Sequence, residues 1–157
     1  MKFYGVHPWY ADLWNGEVKE RLISILEDDP SAGIGEIGMD SVRGAPRQAE
    51  VFSAQLRTAS SMGRPVSVHM VGLEKETSDI IMRDAGGIPV IIHGFSAESY
   101  SKRLLDAGCY LSVGPRLLKK SRENVRRILG TIPEERLLIE TDAPHFGADF
   151  AGLGNLI

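Results

Sequence analysis

The chain has 157 residues, 43% of them hydrophobic and 25% charged, which is ordinary usage for a globular protein that can bury a core. Its formal net charge of -3 argues against a broad cationic surface that would attract nucleic acid without specificity. No apolar run approaches the roughly 18 residues of a membrane span, and the single cysteine, Cys109, excludes an internal disulfide, so we expect a cytoplasmic protein without membrane contact.

Short β-rich runs alternate with amphipathic stretches along the chain. In chain order, strands are predicted at residues 3–6, 33–39, 65–69, 88–93, 109–114 and 136–141. Between them, apolar residues at helical spacing predict helices over residues 17–27, 45–62, 74–85, 97–107 and 121–129. Strict alternation of this kind indicates right-handed βαβ units and a parallel sheet, with one domain over residues 1–157.

Two α/β architectures fit this alternation, an open doubly wound sheet and part of a (β/α)₈ barrel. Polar residues lie at or just after the predicted carboxyl ends of five strands: His7, Glu36, His69, His93 and Asp142. In barrels each strand contributes a residue or two to a shared site at that end, whereas a doubly wound sheet concentrates its site at one switch point. The distribution of polar residues therefore favours an incomplete barrel.

The types of residue at these strand ends indicate a metal site. His69 and His93 occupy the same place in two consecutive βα units, and Glu36 and Asp142 add carboxylates from other strands. Neutral imidazoles suit zinc, manganese, iron or nickel, and carboxylates can bridge two cations. A lone histidine is more often a structural hydrogen-bonding residue, but four ligand-type residues at strand ends favour a divalent cation that activates water.

At this point the chain resembles a known family. The five residues lie in the blocks Gly5-Val-His-Pro-Trp9, Gly35-Glu-Ile-Gly-Met-Asp40, Pro65-Val-Ser-Val-His69, Ile92-His-Gly-Phe-Ser96 and Glu140-Thr-Asp-Ala-Pro144. In this order they look like the signature blocks of the TatD family of metal-dependent hydrolases and deoxyribonucleases, within the amidohydrolase superfamily. The resemblance covers residues 4 to about 146, which is nearly all of the chain.

The resemblance implies a TIM barrel that holds one or two divalent ions (Zn, Mg or Mn) and acts on a nucleic acid or another phosphoester. The metal ligands it implies are Glu36, His69, His93 and Asp142. Glu36 would also bridge the metals, and Asp142 would orient or deprotonate the attacking water. His7 would contact the substrate phosphate or stabilise the leaving group, while Glu140 would brace the loop that carries Asp142.

The chain also departs from the family pattern. The His-x-His pair usual on the first strand is missing, because residue 1 lies just before what resembles the third strand, and no final helix follows the last strand. A complete barrel has about 250 residues, so we expect a chain truncated at both ends that lacks the first two βα units. Its open sheet edges would favour self-association.

Substrate contacts are a further expectation. Where family members usually have an aromatic residue after Asp40, this chain has Ser41-Val-Arg43, and Arg43 is either a phosphate contact or a solvated loop charge. The basic residues between 116 and 127 form either a track for a nucleic-acid backbone or a solvated helix face. Arg116, directly after a Gly-Pro turn, is the best placed of them to reach the site.

The leading hypothesis is a metal-dependent phosphodiesterase, a deoxyribonuclease that acts on nucleic-acid ends through a metal-activated water. A hydrolase of amides or esters would use the same activated water. A catalytically inactive, truncated barrel is the third alternative, from a different class of protein.

Overall fold

The structure is a computed structural model and describes residues 1–141. The predicted site residue Asp142 lies outside the described residues. Contacts between residues divide the chain into two compact units, Met1–Ile91 and Ile92–Ile157. The expected single domain over residues 1–157 stays a prediction.

The first unit alternates strands and helices as the sequence predicts. Its elements are β1 (Phe3–Tyr4), a 3-10 helix (Pro8–Leu13), α1 (Gly16–Asp28), β2 (Gly33–Asp40), α2 (Gln48–Met62), β3 (Val66–Val71) and α3 (Glu74–Asp84). The next strand, β4 (Val90–His93), crosses the boundary between the units. β1 is shorter than the predicted strand over residues 3–6, because residues 5–7 already form the connection to the 3-10 helix.

The second unit continues the alternation. Its described elements are a 3-10 helix (Glu98–Tyr100), α4 (Ser101–Asp106), β5 (Tyr110–Val113), a 3-10 helix (Pro115–Lys119), α5 (Arg122–Leu129), a 3-10 helix (Glu134–Arg136) and β6 (Leu137–Ile139). The helix predicted over residues 97–107 therefore begins as a 3-10 turn. The predicted order of six strands and five α-helices is confirmed over residues 1–141.

Within each unit the strands pair in parallel and in chain order. β1 pairs with β2, with Phe3 opposite Gly33. β2 pairs with β3, with Ile34 opposite Val66 and Gly38 opposite His69, and the register shifts between Ile34 and Ile37. In the second unit β5 pairs with β6 in parallel. Parallel pairing of consecutive strands is what successive βα units produce.

The core of the first unit lies between α2 and β2, with β3 beside β2. Its fully buried members include Phe52 and Leu56 of α2, Ile34 and Ile37 of β2, and Val68 of β3. Phe52 and Leu56 are one helical turn apart, so they share the face of α2 that the apolar spacing predicts as buried. α2 ends at Gly63, whose left-handed conformation (φ +64°) is the usual helix stop.

Glycine allows β2 to lie close to β3. Gly38 has a φ of +141°, and a Cβ at this position would overlap the carbonyl oxygen of His69. A Cβ at Gly35 would lie 2.7 Å from the Cβ of Ser67. The glycine-rich sequence of β2 is therefore required by contact with β3, which carries His69.

The second unit has its own buried core. Its fully buried side chains include Phe95, Leu104, Leu111 and Ile128. Cys109 is also buried, and burial raises the pKa of its thiol to about 12, so this cysteine is not a thiolate nucleophile. Among residues 1–141, no helix combines the length and the apolar character that a membrane crossing requires.

Candidate metal centre

Three side chains of the first unit converge, one from the segment after β1, one from within β2 and one from β3. His7, Glu36 and His69 each offer a ligand atom, and these atoms lie within 4.8 Å of one another. Glu36 Oε2 is 3.5 Å from His69 Nδ1 and 3.7 Å from His7 Nε2. Ligand atoms bound at about 2.1 Å in a tetrahedral arrangement are about 3.4 Å apart. Two imidazoles and a carboxylate at these separations therefore fit a divalent cation such as zinc or manganese.

Glu36 reaches this cluster from within a strand. β2 continues to Asp40, so Glu36 lies in the middle of β2 and not at its end, where the sequence placed it. The register irregularity between Ile34 and Ile37 brackets it. An irregularity of this kind re-aims a side chain, and the Glu36 side chain is 34% exposed while Gly35 and Ile37 on either side are buried.

His69 is held by a second carboxylate. Its Nε2 lies 2.9 Å from Asp40 Oδ2, which also accepts a hydrogen bond of 2.8 Å from the indole N–H of Trp9. Asp40 Oδ1 accepts the backbone N–H groups of Val42 and Arg43, at 2.8 and 3.0 Å. Burial by itself would raise the pKa of Asp40, but these hydrogen bonds outweigh it and hold the pKa well below its usual range. Asp40 is therefore an ionised, fully engaged acceptor.

His7 occupies the other side of Glu36 in a different hydrogen-bonding state. Its Nδ1 accepts the backbone N–H of Trp9 at 3.3 Å, and this caps the 3-10 helix. Burial, and then the nearby His69, lower the pKa of His7 from 6.5 to about 4. The ring is thus neutral at pH 7, and with Nδ1 accepting, its proton lies on Nε2, the nitrogen that faces Glu36.

Two buried glutamines of α2 brace the backbone around this cluster. Gln55 accepts the N–H of Val6 at 2.7 Å and donates to the Val6 carbonyl at 3.0 Å. Gln48 accepts the N–H of Asp40 at 2.8 Å and donates to the Arg43 carbonyl at 3.3 Å. The two residues are seven positions apart, which places them on one face of the helix. α2 thus fixes both the segment before His7 and the end of β2.

Aromatic rings and one exposed cation line the entrance to the cluster. The ring of His7 packs edge-on against the rings of Trp9 and His69, with centroid distances of 4.7 and 4.6 Å. The guanidinium of Arg43 lies 4.4 Å from the centre of the Trp9 ring. This stacking directs the charge of Arg43 towards the site, close enough for that charge to contribute to the lowered pKa of His7.

The second unit has a separate histidine–carboxylate pair. His93 Nδ1 lies 2.8 Å from Glu140 Oε2, and Glu140 Oε1 accepts the N–H of Gly94 at 2.7 Å. The sequence predicted that Glu140 braces the loop that carries Asp142. In the described residues Glu140 holds His93 and the turn that follows it, and its bracing of the Asp142 loop stays a prediction. The roles of His93 and Asp142 as metal ligands stay predictions.

The predicted substrate contacts occupy different surroundings. Arg43 is exposed beside the cluster, and Arg116 is half-buried in the 3-10 helix after β5, within the second unit. Asp40 was not predicted as a site residue, although it lies four residues after Glu36 and therefore on the same side of a regular strand. Gln48 and Gln55 carried no signal of their own, because a buried glutamine on a helix cannot be recognised from spacing.

Comparison with known proteins identifies what these blocks of sequence are similar to. The profile of the family described as TatD related DNase matches residues 1–152. A protein named 3'-5' ssDNA/RNA exonuclease TatD, from Cronobacter turicensis, is 32% identical over 147 residues, which are 90% of this chain and 56% of that protein. A protein of the same name from Klebsiella pneumoniae is 31% identical over 147 residues, which again are 90% of this chain and 56% of that protein. The chain thus spans about half the length of these relatives.

Two solved structures are similar in fold. YJJV, a TatD homologue from Escherichia coli K12, has a TM-score of 0.79 at 25% identity, over 94% of this chain and 60% of that one. An uncharacterised amidohydrolase from Saccharomyces cerevisiae has a TM-score of 0.69 at 21% identity, over 98% of this chain and 60% of that one, and this likeness concerns the fold alone. The incomplete TIM-barrel type of α/β fold predicted from the sequence is confirmed by these likenesses.

Proposed function

Since the chain belongs to the TatD related DNase family, we propose that it is a metal-dependent phosphodiesterase that cleaves nucleic-acid ends. The observation that carries this proposal is the convergence of His7, Glu36 and His69 from three blocks of the family signature, with Glu36 and His69 at a distance suited to one divalent cation and His7 beside them. Relatives named as 3'-5' exonucleases of single-stranded DNA and RNA suggest that a 3' end is the substrate.

The proposed metal set comprises Glu36, His69, His93 and Asp142, with one or two ions of Zn, Mg or Mn. A divalent cation, when bound, supplies Lewis acidity at the scissile phosphate and eases the deprotonation of water. Glu36 contributes the negative charge that a second cation would share. Asp142 orients the attacking water and accepts its proton, which is the role that its place in the family motif suggests.

His7 is proposed as a donor to the substrate. It is neutral at pH 7 because its pKa is lowered to about 4, and its Nε2 proton faces the cluster. A phosphate oxygen, or the oxygen of the leaving group, would accept that proton in a hydrogen bond. His7 could bind a metal through Nε2 only as the other tautomer, with its proton on Nδ1. In that tautomer Nδ1 could no longer accept the hydrogen bond from the Trp9 N–H.

Cationic side chains are proposed to hold the phosphate backbone. Arg43 is exposed, stacked on Trp9 and adjacent to His7, so its guanidinium can pair with a phosphate next to the cleaved bond. Arg116 is proposed as a second phosphate contact because it follows the turn after β5. A cytoplasmic location and self-association through open sheet edges complete the proposal. They are suggested by the single cysteine and by the edge strands of an incomplete barrel.

The proposal is tested on the purified chain by metal analysis together with cleavage of 5'-labelled single-stranded DNA. We expect bound divalent metal, shortening of the DNA from its 3' end with added Mn²⁺ or Mg²⁺, and complete loss of cleavage in EDTA. His69→Ala and Asp142→Asn should each remove most of the activity and leave the circular dichroism spectrum unchanged. Asp106→Asn is the matched control, because Asp106 is an exposed carboxylate of α4 that pairs only locally with Lys102.

Other outcomes contradict the proposal in distinct ways. Bound metal with esterase or amidase activity but no nuclease activity would replace it with the alternative hydrolase. Absence of both metal and cleavage would leave an inactive, truncated barrel. Wild-type cleavage by either site variant would refute the role of that residue.

A further inference from the structure

We propose that Asp40 is a positioning residue that fixes the tautomer of His69, with the proton on Nε2 and the lone pair on Nδ1, the nitrogen nearer Glu36. Asp40 touches neither substrate nor cation in this assignment and acts through the imidazole. The consequence for metal affinity rests on the function proposed above, but the tautomer itself does not.

The hydrogen bonds of Asp40 leave no other assignment for His69 Nε2. Asp40 receives three bonds from groups that can only donate, the Trp9 indole N–H and the backbone N–H groups of Val42 and Arg43. Because it accepts a bond at both of its oxygens from these donors, the Asp40 carboxylate acts only as an acceptor. His69 Nε2, 2.9 Å from Oδ2, must then be the donor.

The proton on Nε2 determines what Nδ1 can do. A neutral imidazole carries one proton, so donation from Nε2 leaves Nδ1 with a lone pair. His69 lies between two carboxylates, with Asp40 at 2.9 Å from Nε2 and Glu36 at 3.5 Å from Nδ1. Without Asp40, the negative charge of Glu36 would favour the proton on Nδ1. Nδ1 would then have no lone pair with which to bind a cation. The proton stays on Nε2 because the contact of Asp40 with Nε2 is shorter than the contact of Glu36 with Nδ1.

Asp40 is itself held in place, so the assignment does not depend on a mobile side chain. It is 4% exposed, and its backbone N–H donates to Gln48 Oε1 at 2.8 Å. The Trp9 indole fixes the orientation of the carboxylate at Oδ2. Carboxylate–histidine–metal arrangements of this kind, which fix the tautomer and raise the basicity of the ligand, typically change metal affinity by about 10–100-fold when broken.

His7 provides an internal contrast. Its Nδ1 faces the backbone N–H of Trp9, a donor, instead of a carboxylate. The two histidines beside Glu36 are therefore in opposite tautomeric roles, since His7 presents an N–H to it and His69 presents a lone pair. One ring is suited to donate to a substrate oxygen and the other to bind a cation.

The test is Asp40→Asn, read first without metal. An asparagine can still accept the Val42 and Arg43 N–H groups through its oxygen. Its amide N–H₂ would then take the place of Oδ2, where it loses the bond from the Trp9 N–H and forces His69 Nε2 to accept. In mildly alkaline buffer, imidazole ¹⁵N shifts of the metal-free wild type should show a protonated Nε2 and a bare Nδ1 for His69, assigned by loss of the signals in His69→Gln. Asp40→Asn should move the proton to Nδ1 and weaken Mn²⁺ or Zn²⁺ binding by about 10–100-fold in calorimetry.

Two further variants separate positioning from general damage. Asp84→Asn is the matched control, because Asp84 is also a buried carboxylate and is bonded to Ser53 and Arg83 outside the cluster. It should leave the His69 tautomer and the metal affinity unchanged. Trp9→Phe removes one donor to Asp40 but leaves the bond to His69, so the tautomer should persist.

The outcomes distinguish this inference from the proposed function. A wild-type His69 protonated on Nδ1, or wild-type metal affinity in Asp40→Asn, overturns the role of Asp40 while the metal-dependent activity stands. The wild-type spectrum alone decides the tautomer even if Asp40→Asn does not fold. The predicted tautomers without any metal binding would support the positioning role and refute the proposed function.

Discussion

His69 and His93 occupy equivalent places in consecutive βα units, yet the structure holds them in opposite ways. His69 meets a carboxylate at Nε2, and that carboxylate is fixed by an indole and by two backbone N–H groups. His93 meets a carboxylate at Nδ1, and Glu140 supplies that contact while it also accepts a single backbone N–H from Gly94. The ring nitrogen that meets a carboxylate is therefore Nε2 in His69 and Nδ1 in His93.

This difference shows that a repeated position in sequence does not imply repeated chemistry. The carboxylate beside His69 comes from the preceding strand, and the one beside His93 comes from a segment 47 residues later. In the first unit the surrounding hydrogen bonds arrive from β2, α2 and the 3-10 helix, so rigidity is built from several elements. We therefore expect substitutions in the first unit to change metal affinity and the free energy of unfolding more than substitutions in the second unit do.

The largest expected effect is the loss of metal binding in Glu36→Gln. Glu36 lies between both histidines and supplies the only carboxylate of the cluster among the described residues. Removal of its charge should weaken Mn²⁺ or Zn²⁺ binding by roughly 100-fold or more, exceeding the effect of a residue that acts through a ligand. Calorimetric titration checks this, with Glu50→Gln on the exposed surface of α2 as the control. Unchanged affinity in Glu36→Gln would remove the first unit from the metal site.

Next in size is the stability lost in Gln55→Leu. The leucine would leave both the N–H and the carbonyl of Val6 without their partner, which costs about 1–3 kcal/mol for each buried group. Because Val6 is half-buried, we expect the lower part of the summed cost, a fall of about 2–4 kcal/mol in the free energy of unfolding in a urea titration. Gln55→Glu keeps the acceptor for the Val6 N–H but turns a carboxylate oxygen towards the Val6 carbonyl, so at pH 7 it should be destabilised as well. A leucine variant as stable as the wild type would show that α2 does not brace the His7 segment.

A smaller effect is expected from acid. The pKa of His7 is lowered to about 4 in the folded chain, below the ordinary 6.5 of the unfolded state. Between pH 4 and pH 6.5, His7 is protonated in the unfolded chain but neutral in the folded chain. The free energy of unfolding is therefore highest above pH 6.5 and decreases as the pH falls towards 4. In metal-free buffer the wild type should lose up to about 2 kcal/mol more than His7→Gln over this window, allowing for partial exposure. Parallel pH profiles of the two proteins would contradict the lowered pKa.

The smallest effect is expected from Glu140→Gln in the second unit. The glutamine can still accept the Gly94 N–H through Oε1, so only the contact with His93 loses its charge. We expect a loss of about 1 kcal/mol in the free energy of unfolding. Glu134→Gln, at an exposed residue of the nearby 3-10 helix, serves as the control. A loss larger than that of Gln55→Leu would reverse the comparison between the two units.

The alternation of strands and helices could be predicted from the sequence because each element depends on the spacing of apolar residues within a short segment. Apolar spacing located every strand and every α-helix of residues 1–141, although not the 3-10 helices, and glycine marked the end of α2. The grouping of Glu36 with His69 followed from the rule that parallel strands present their carboxyl ends at one edge. The exact bounds were less predictable, as in β1, which ends at Tyr4 although a strand over residues 3–6 was predicted.

What the sequence did not predict depends on contacts between distant segments. Asp40 is hydrogen-bonded to His69, which lies 29 residues away in the sequence, and Gln55 is hydrogen-bonded to Val6, which lies 49 residues away. Neither side chain differs in type from many that face solvent, so only its placement shows its role. The tautomers of His7 and His69 are likewise set by neighbours that no spacing rule identifies.

The irregular pairing between Ile34 and Ile37 has a consequence for how β2 can vary. Side chains of a strand alternate between two faces, so adding or removing one residue exchanges the faces for every residue beyond that point. A deletion between Gly33 and Glu36 would turn Ile37 towards the cluster and Glu36 into the core, even though each residue would still be present. The number of residues in this stretch is therefore as strongly constrained as their identity.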